Sequence, residues 1–283
     1  MNHRKAMVDT PRFFDSHCHL DDPRFDRDRD EVLVRAAKLG VAALLIPGVA
    51  PAQWSRAAQL VSRSTTGPTL GYAVGLHPQV LPEMDAAQRQ RSLSELDTAA
   101  RAPGVCAIGE CGFDQHTMKL GVDYGEQARI LDAHLEVARS RRLPVVLHIL
   151  RAHGQALRFL QRHGVFEAGG IVHSYSGSAD LVADYVALGL SLSFAGSITR
   201  PGAHRPVAAL RATPRARLLF ETDAPDQFPS GIDKSMEGTE SPRNEPAHVA
   251  AIVTVAAELL GEEPGSLAST TWSNARDLLG FPA

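Results

Sequence analysis

The sequence predicts an α/β protein, a single (β/α)8 TIM barrel spanning residues 1–283. Three observations predict it: strand-like and helix-like segments alternate eight times, most strands are unbroken apolar runs, and no linker or low-complexity tract divides the chain. Parallel strands buried on both faces lose the polar–apolar alternation of a half-exposed strand. Eight such units in roughly 250 residues is what a closed barrel requires. An open doubly wound sheet would usually carry a glycine-rich phosphate loop after its first strand, and His17-Cys18-His19 stands there instead.

The first strand is Phe13-Phe14-Asp15-Ser16-His17-Cys18-His19-Leu20. Side chains alternate across a strand, so His17 and His19 share one face and Cys18 takes the other. Asp28–Leu39 has the apolar spacing of a helix and stops at Gly40. Ala42–Gly48 reads as a buried strand, and Ala52–Ser64 as a helix entered through Pro51. Leu70–Leu76 is the third strand, closed by His77-Pro78, and Gln88–Arg101 is helical. Val105–Glu110 is the fourth strand, ending in Gly112, and Gly125–Arg142 is a long helix. Pro144–His148 is a strand, His153–His163 a helix and Gly170–His173 a strand. Ala179–Leu188 is a helix, Leu190–Phe194 a strand and Pro206–Ala212 a short helix. Leu218–Asp223 is the eighth strand. Glu245–Leu260 and Leu267–Leu279 close the chain, with Asn244 as a helix cap and Pro246 in the first turn.

A chain of this length can bury about 75% of its unfolded surface. With 44% hydrophobic and 22% charged residues it has the balance of an ordinary globular protein. The formal net charge of −3 offers no global attraction for nucleic acid, so phosphate recognition must be local. Three cysteines are sparse and odd in number, Met1–Thr10 is polar and charged rather than leader-like, and no apolar run approaches the ~20 residues of a membrane span. A cytoplasmic monomer without membrane contact is expected, its cysteines acting as small core residues.

In a barrel of this kind the active site lies at the C-terminal ends of the strands. Strand 1 ends in His17 and His19, strand 3 in His77, strand 4 in Glu110, strand 5 in His148, strand 6 in His173 and strand 8 in Asp223. Five of the 12 histidines and two carboxylates therefore meet at one rim. The others, among them His3, His116, His134, His163, His204 and His248, fall in helices, loops or the terminus and read as solvated or hydrogen-bonded. A lone His148 after Val145-Val146-Leu147 reads more readily as a core histidine bonded to a backbone carbonyl than as a ligand. A carboxylate ending a buried strand, as at Glu110 or Asp223, needs a partner. Histidines and acids together answer each other through metal. Six candidate ligands, His17, His19, Glu110, His148, His173 and Asp223, exceed one tetrahedral site with an open position. They suit two divalent ions about 3.5–4 Å apart sharing a bridging carboxylate, with Glu110 as the bridge. Imidazole favours Zn, Mn, Ni or Fe over Mg.

These residues sit in motifs that resemble the TatD family of metal-dependent hydrolases, within the amidohydrolase-like barrels. The likeness runs nearly end to end. It covers Phe14–His19, Gly75-Leu76-His77-Pro78, Ile108–Asp114, Pro144–His148, His173-Ser174-Tyr175-Ser176-Gly177, Glu221-Thr222-Asp223-Ala224-Pro225, Arg243-Asn244-Glu245-Pro246 and Asn274-Ala275-Arg276. The resemblance implies metal ligation by the same six residues, deoxyribonuclease activity, Mg as a further candidate ion, and His77 near the substrate phosphate. The sequence departs from the family at strand 5, where His148-Ile149-Leu150 replaces His-x-Arg and arginine comes only at Arg151. On a strand Leu150 faces the same way as His148 and presents methyls where a guanidinium would meet phosphate. Gln115-His116 follows Phe113-Asp114 in place of the usual tyrosine, and Asp226-Gln227 adds an acid after Pro225.

The expected reaction is hydrolysis of a phosphodiester, at the end of a DNA strand, by water activated between two ions that are Zn, Mn or Mg. Asp223 is the expected general base and Glu110 the catalytic bridge. His77 and a nearby cation (Arg151, Arg200 or Arg243) meet the phosphate. Hydrolysis of a small-molecule ester, lactone or C–N bond is the alternative. Barrels of that kind often bridge their metals with a carboxylated lysine at strand 4, but no lysine lies between Lys38 and Lys119. A non-catalytic metal-binding barrel is disfavoured by the presence of all six ligands.

Overall fold

A computed structural model describes residues 11–65, 67–232 and 243–282. His3 and the polar stretch Met1–Thr10 lie outside the described residues. Eight strands form one parallel sheet in sequential order: β1 (Phe13–Asp15), β2 (Val41–Ile46), β3 (Thr69–Val74), β4 (Val105–Asp114), β5 (Val145–Leu150), β6 (Gly170–Val172), β7 (Leu190–Phe194) and β8 (Leu218–Phe220). The ring closes between β8 and β1 through backbone bonds just beyond the strands. Ser16 N–H donates to Phe220 O at 3.0 Å, Asp223 N–H to His17 O at 2.9 Å and His19 N–H to Ala224 O at 2.8 Å. Around the ring run α1 (Arg29–Lys38), α2 (Pro51–Arg63), α3 (Ala86–Ala99), α4 (Gln115–Lys119), α5 (Tyr124–Arg141), α6 (His153–His163), α7 (Val182–Ala187), α8 (His204–Ala212), α9 (Val249–Leu260) and α10 (Pro264–Leu279). No helix among the described residues is long and apolar enough to cross a membrane.

The unbroken apolar strands now have a cause. In β2, Ala43 and Leu45 join a cluster on the barrel axis with Phe14, Ala73, Ala107, Val146, Ile171 and Leu219. The intervening Leu44 and Ile46 face the layer between sheet and helices. Period-2 alternation sends successive side chains to two different buried layers, so neither face has reason to be polar. Phe14 packs against Trp272 of α10 and Phe281, at ring separations of 5.7 and 4.8 Å, and with Leu279 they join this axial cluster.

Several element boundaries differ from the sequence expectation, each for a local reason. β1 stops at Asp15 rather than running to Leu20, and β8 stops at Phe220 rather than at Asp223. The Asp15 carboxylate accepts from Thr222 N–H at 2.9 Å and from the Thr222 hydroxyl at 2.5 Å, so a side chain replaces the ladder there. β4 continues past Glu110 to Asp114, because a register shift between Gly109 and Cys111 keeps it paired with β5 out to Leu150. Helix α3 starts two residues early under a capping box between Asp85 and Gln88. The expected helix 179–188 splits into a 3-10 turn and α7. Asn244 is not a helix cap in the usual sense: its amide donates to Thr222 O and Asp226 O, each at 2.8 Å, while its carbonyl accepts from Glu245 N–H and faces His248. It thereby pins the chain leaving β8 to the segment that enters α9. The three cysteines are free thiols, Cys18 and Cys111 buried and Cys106 partly so.

Candidate metal centre

The strand ends bring five imidazoles and two carboxylates to one mouth of the barrel. Glu110, fully buried on β4, is the point at which they meet. Its Oε2 faces one side, 3.1 Å from His17 Nε2 and 3.8 Å from His19 Nε2. Its Oε1 faces the other, 2.9 Å from His77 Nε2, 2.8 Å from His148 Nδ1 and 2.8 Å from His173 Nε2. Asp223 Oδ1 completes the first side at 3.6 Å from His17 and 3.4 Å from His19. The sequence-derived ligand set is thus gathered in one place: His17, His19 and Asp223 lie within mutual reach of a single ion, and so do His77, Glu110 and His148.

Several buried atoms here lack a hydrogen-bond partner: both ring nitrogens of His17, Glu110 Oε2 and Oε2 of Glu221, the residue directly after β8. Leaving such groups unpaired costs roughly 1–3 kcal/mol each. A divalent cation accepts lone pairs from neutral imidazole and carboxylate together, so the donor set fits one. The protonation pattern says the same. Burial alone would raise Glu110, yet the imidazoles of His77, His173, His17 and His148 hold it well below the usual carboxylate range. Burial would likewise lower His19, but its bond to Asp223 and the charges of Asp223 and Glu110 lift it to about 9. Against their own burial, Glu110 and Glu221 raise His173, and Asp114 with Glu110 raises His148. Protons on imidazole do here what a cation would do. His77 goes the other way: burial, with His148 and His19 adding to it, outweighs Glu110 and pulls it down to about 4. Its Nδ1 accepts from Gln79 N–H at 3.0 Å, so the neutral ring carries its proton on Nε2 and donates to Glu110.

Three carboxylates around the centre escaped the sequence reading. Glu221, fully buried, accepts on Oε1 from Ser174 N–H at 2.7 Å and lies 3.2 Å from His173 Nδ1. Asp114 Oδ2 sits 3.1 Å from His148 Nε2 and accepts from the Gln79 amide at 2.7 Å. Asp15 is pushed up to about 8 by burial, against its bonds from Thr222 and His17. The signal was present, since each lies an even number of residues from a called ligand: Glu221 from Asp223, Asp114 from Glu110 and Asp15 from His17. Gln227, in sequence terms only a departure from the family pattern, also reaches the centre. Its amide donates to Asp223 Oδ2 at 2.5 Å and to Ser174 Oγ at 2.7 Å.

Beside the centre opens a pocket of ≈ 490 Å³ walled by Gln79, Ile149, Leu150, Ser176, Arg200 and Gln227, among others. Arg200 is the one arginine or lysine lining it among the described residues. The structure does not bring Arg151 or Arg243 there. Arg151 is exposed, directly after β5, in a left-handed conformation with φ of 53°. Arg243 donates to Asp28 and Glu245 at 2.8 Å and lies over Phe25 at 4.6 Å, so its charge is spent holding the chain to the start of α1. Leu150 lines the pocket where the family pattern would place a guanidinium, and Asp226 is paired with Arg24 through both oxygens, at 2.9 and 3.0 Å.

A family model described as TatD related DNase matches residues 14–280. The chain is 33% identical over 275 residues to YjjV of Escherichia coli, described as an uncharacterized metal-dependent hydrolase, covering 96% of this chain and 99% of that protein. It is also 33% identical over 276 residues to the 3'-5' ssDNA/RNA exonuclease TatD of Erwinia billingiae, covering 95% and 100%. The crystal structure of Escherichia coli YjjV superposes with a TM-score of 0.84 at 32% identity over 96% of this chain and 100% of that one.

Proposed function

Since this chain belongs to the TatD-related DNase family, and is therefore a metal-dependent hydrolase, we propose that it cleaves phosphodiester bonds at the end of a single DNA or RNA strand, using two divalent ions. The observation that carries the proposal is Glu110, whose two oxygens face two separate groups of imidazoles. In this reading His17, His19 and Asp223 would hold one ion and His148 and His173 the other, with Glu110 available to either. Zn or Mn suits four imidazoles better than Mg. The exonuclease reading draws on the TatD relatives, whose names specify single-stranded DNA and RNA.

Ions held there supply Lewis acidity: they ease proton removal from water and offset charge on the phosphoryl oxygens. The chain's own groups do the rest. Asp223 takes the proton from the attacking water as the water oxygen bonds to phosphorus and the P–O bond to the leaving group breaks, and that proton passes on to the departing oxygen. Gln227 holds Asp223 Oδ2 by its amide, leaving Oδ1 turned to His17 and His19. His77, neutral and protonated on Nε2, places a hydrogen-bond donor beside Glu110 at the pocket. Arg200 pairs with a phosphate of the strand. Ile149 and Leu150 offer apolar contact to a sugar or base, in place of a second guanidinium.

The test is digestion of end-labelled single-stranded oligonucleotides by protein of measured metal content. Digestion is expected to stop on chelation, return with Mn, Mg or Zn, and fall by about 10²–10⁴-fold in Asp223→Asn. Metal-replete protein that leaves DNA and RNA intact but hydrolyses a lactone or amide would replace the nuclease reading with the small-molecule one.

A further inference from the structure

Immediately beyond β6 the segment His173–Gly177 supplies more than a metal ligand. Its Ser176 is exposed and lines the pocket, with its Oγ 3.1 Å from Nε2 of His153, the first residue of α6. The other ring nitrogen of His153, Nδ1, lies 2.9 Å from the Tyr185 hydroxyl. Tyr175 packs edge-on against both rings, at 5.2 Å from His153 and 5.8 Å from Tyr185. A Cβ at Gly177 would fall 2.4 Å from the Tyr175 oxygen, so glycine is required for the turn to close over this cluster. His153 and Tyr185 take no part in the metal centre.

We infer that Ser176 donates a hydrogen bond to a phosphoryl oxygen of the bound nucleic acid, its proton aimed into the pocket by the buried pair Tyr185 and His153. This rests on the pocket being the nucleotide site proposed above.

The direction of the hydrogens follows from satisfaction. Burial, with Arg205 adding to it, draws His153 down to about 4, so at neutral pH the ring has one donor and one acceptor. Tyr185 is fully buried, and its hydroxyl has no other hydrogen-bond partner among the described residues. Were Nδ1 the protonated nitrogen, the Tyr185 hydrogen would be stranded in the core. Tyr185 therefore donates to Nδ1, and Nε2–H donates to Ser176 Oγ. The Ser176 hydrogen is then left over. Its one protein acceptor among the described residues is Ile149 O at 3.4 Å, long for a hydroxyl donor. A hydroxyl that accepts from the protein and has its own hydrogen to give selects an acceptor-only partner, and an anionic phosphoryl oxygen is the strongest of these. The two bonds behind it also polarise the terminal O–H.

Two measurements test this. The first needs no ligand: two-bond proton–nitrogen correlation spectra of ¹⁵N-labelled protein report which nitrogen of His153 is protonated. The neutral Nε2–H form is expected from about pH 5.5 to 8, and an Nδ1–H ring overturns the relay. The second is calorimetric titration of the metal-loaded enzyme with thymidine 3′,5′-bisphosphate and with thymidine. Ser176→Ala should weaken the bisphosphate about tenfold or more and leave thymidine unchanged. Tyr185→Phe should show a smaller loss, and the double variant should be no worse than Ser176→Ala alone. Bisphosphate binding within twofold of wild type in Ser176→Ala, or losses that add in the double variant, would overturn the proposal. Wild-type enzyme that binds neither ligand would instead overturn the nucleotide reading of the pocket, while the ring tautomer still reports on the relay.

Discussion

At Glu110, itself fully buried at the floor of the pocket, five imidazoles meet two oxygens, and that meeting decides the chemistry available. An isolated carboxylate buried this deeply would be neutral. Its neighbours instead hold it ionised, with its two oxygens facing two separate groups of imidazoles. Around it, carboxylates behind the imidazoles fix their orientation. Glu221 accepts from Ser174 N–H and stands at the back of His173, which turns His173 Nε2 toward Glu110. Partners of this kind are typically worth about 10–100-fold in metal affinity. Glu221→Gln is therefore expected to weaken metal binding by that factor while the circular dichroism of the fold is unchanged. A competition titration with a chromogenic chelator checks it, and unaltered affinity would remove Glu221 from the account.

At the scale of elements, the height of Glu110 in the barrel is set by backbone packed on backbone. Gly48, just past β2, donates to Gly109 O at 3.0 Å, and Glu110 N–H donates back to Gly48 O at 2.8 Å. Gly75, just past β3, lies so close that a Cβ there would sit 2.3 Å from the Gly109 carbonyl carbon and 2.7 Å from Glu110 N. Nothing flexible stands in the way to yield. Gly75→Ala is expected to cost about 1–3 kcal/mol of stability from overpacking and to displace Glu110, so metal affinity should fall with it. Thermal unfolding with and without added metal separates the two effects, and a variant that keeps wild-type affinity would show that Glu110 is placed by its side-chain contacts alone.

For the whole molecule, the candidate ligands come from β1, β4, β5, β6 and β8 or the turns just beyond them, so cations bound there would tie the ring together across its closure. Ligands that bind only the folded state stabilise it by about 4 kcal/mol at a thousandfold excess over Kd. In a chain of this size that corresponds to roughly 7 °C in Tm. Removing metal with a chelator should lower Tm by that order, and readdition should restore it. An unchanged Tm, in protein shown by elemental analysis to have held metal, would mean that the strand ends keep their positions without it.

What the sequence by itself determined is the alternation of elements and the polar residues at their ends. Two-sided burial writes itself as continuous apolar strands, and a polar residue ending such a strand has to be explained; hence the ordering of strands was legible, and His17, His19, Glu110, His148, His173 and Asp223 could be placed at strand ends, where they point to a metal only as a group. What only the tertiary structure decided is which groups share a space. Arg200 rather than Arg151 or Arg243 lines the pocket, because the turn after β5 carries Arg151 away and an ion-pair network holds Arg243. Glu221 joins His173, and Tyr185 reaches Ser176 through His153, across separations no local pattern encodes. Charge pairing and proton direction depend on distances between distant segments, and those distances exist only once the ring has closed.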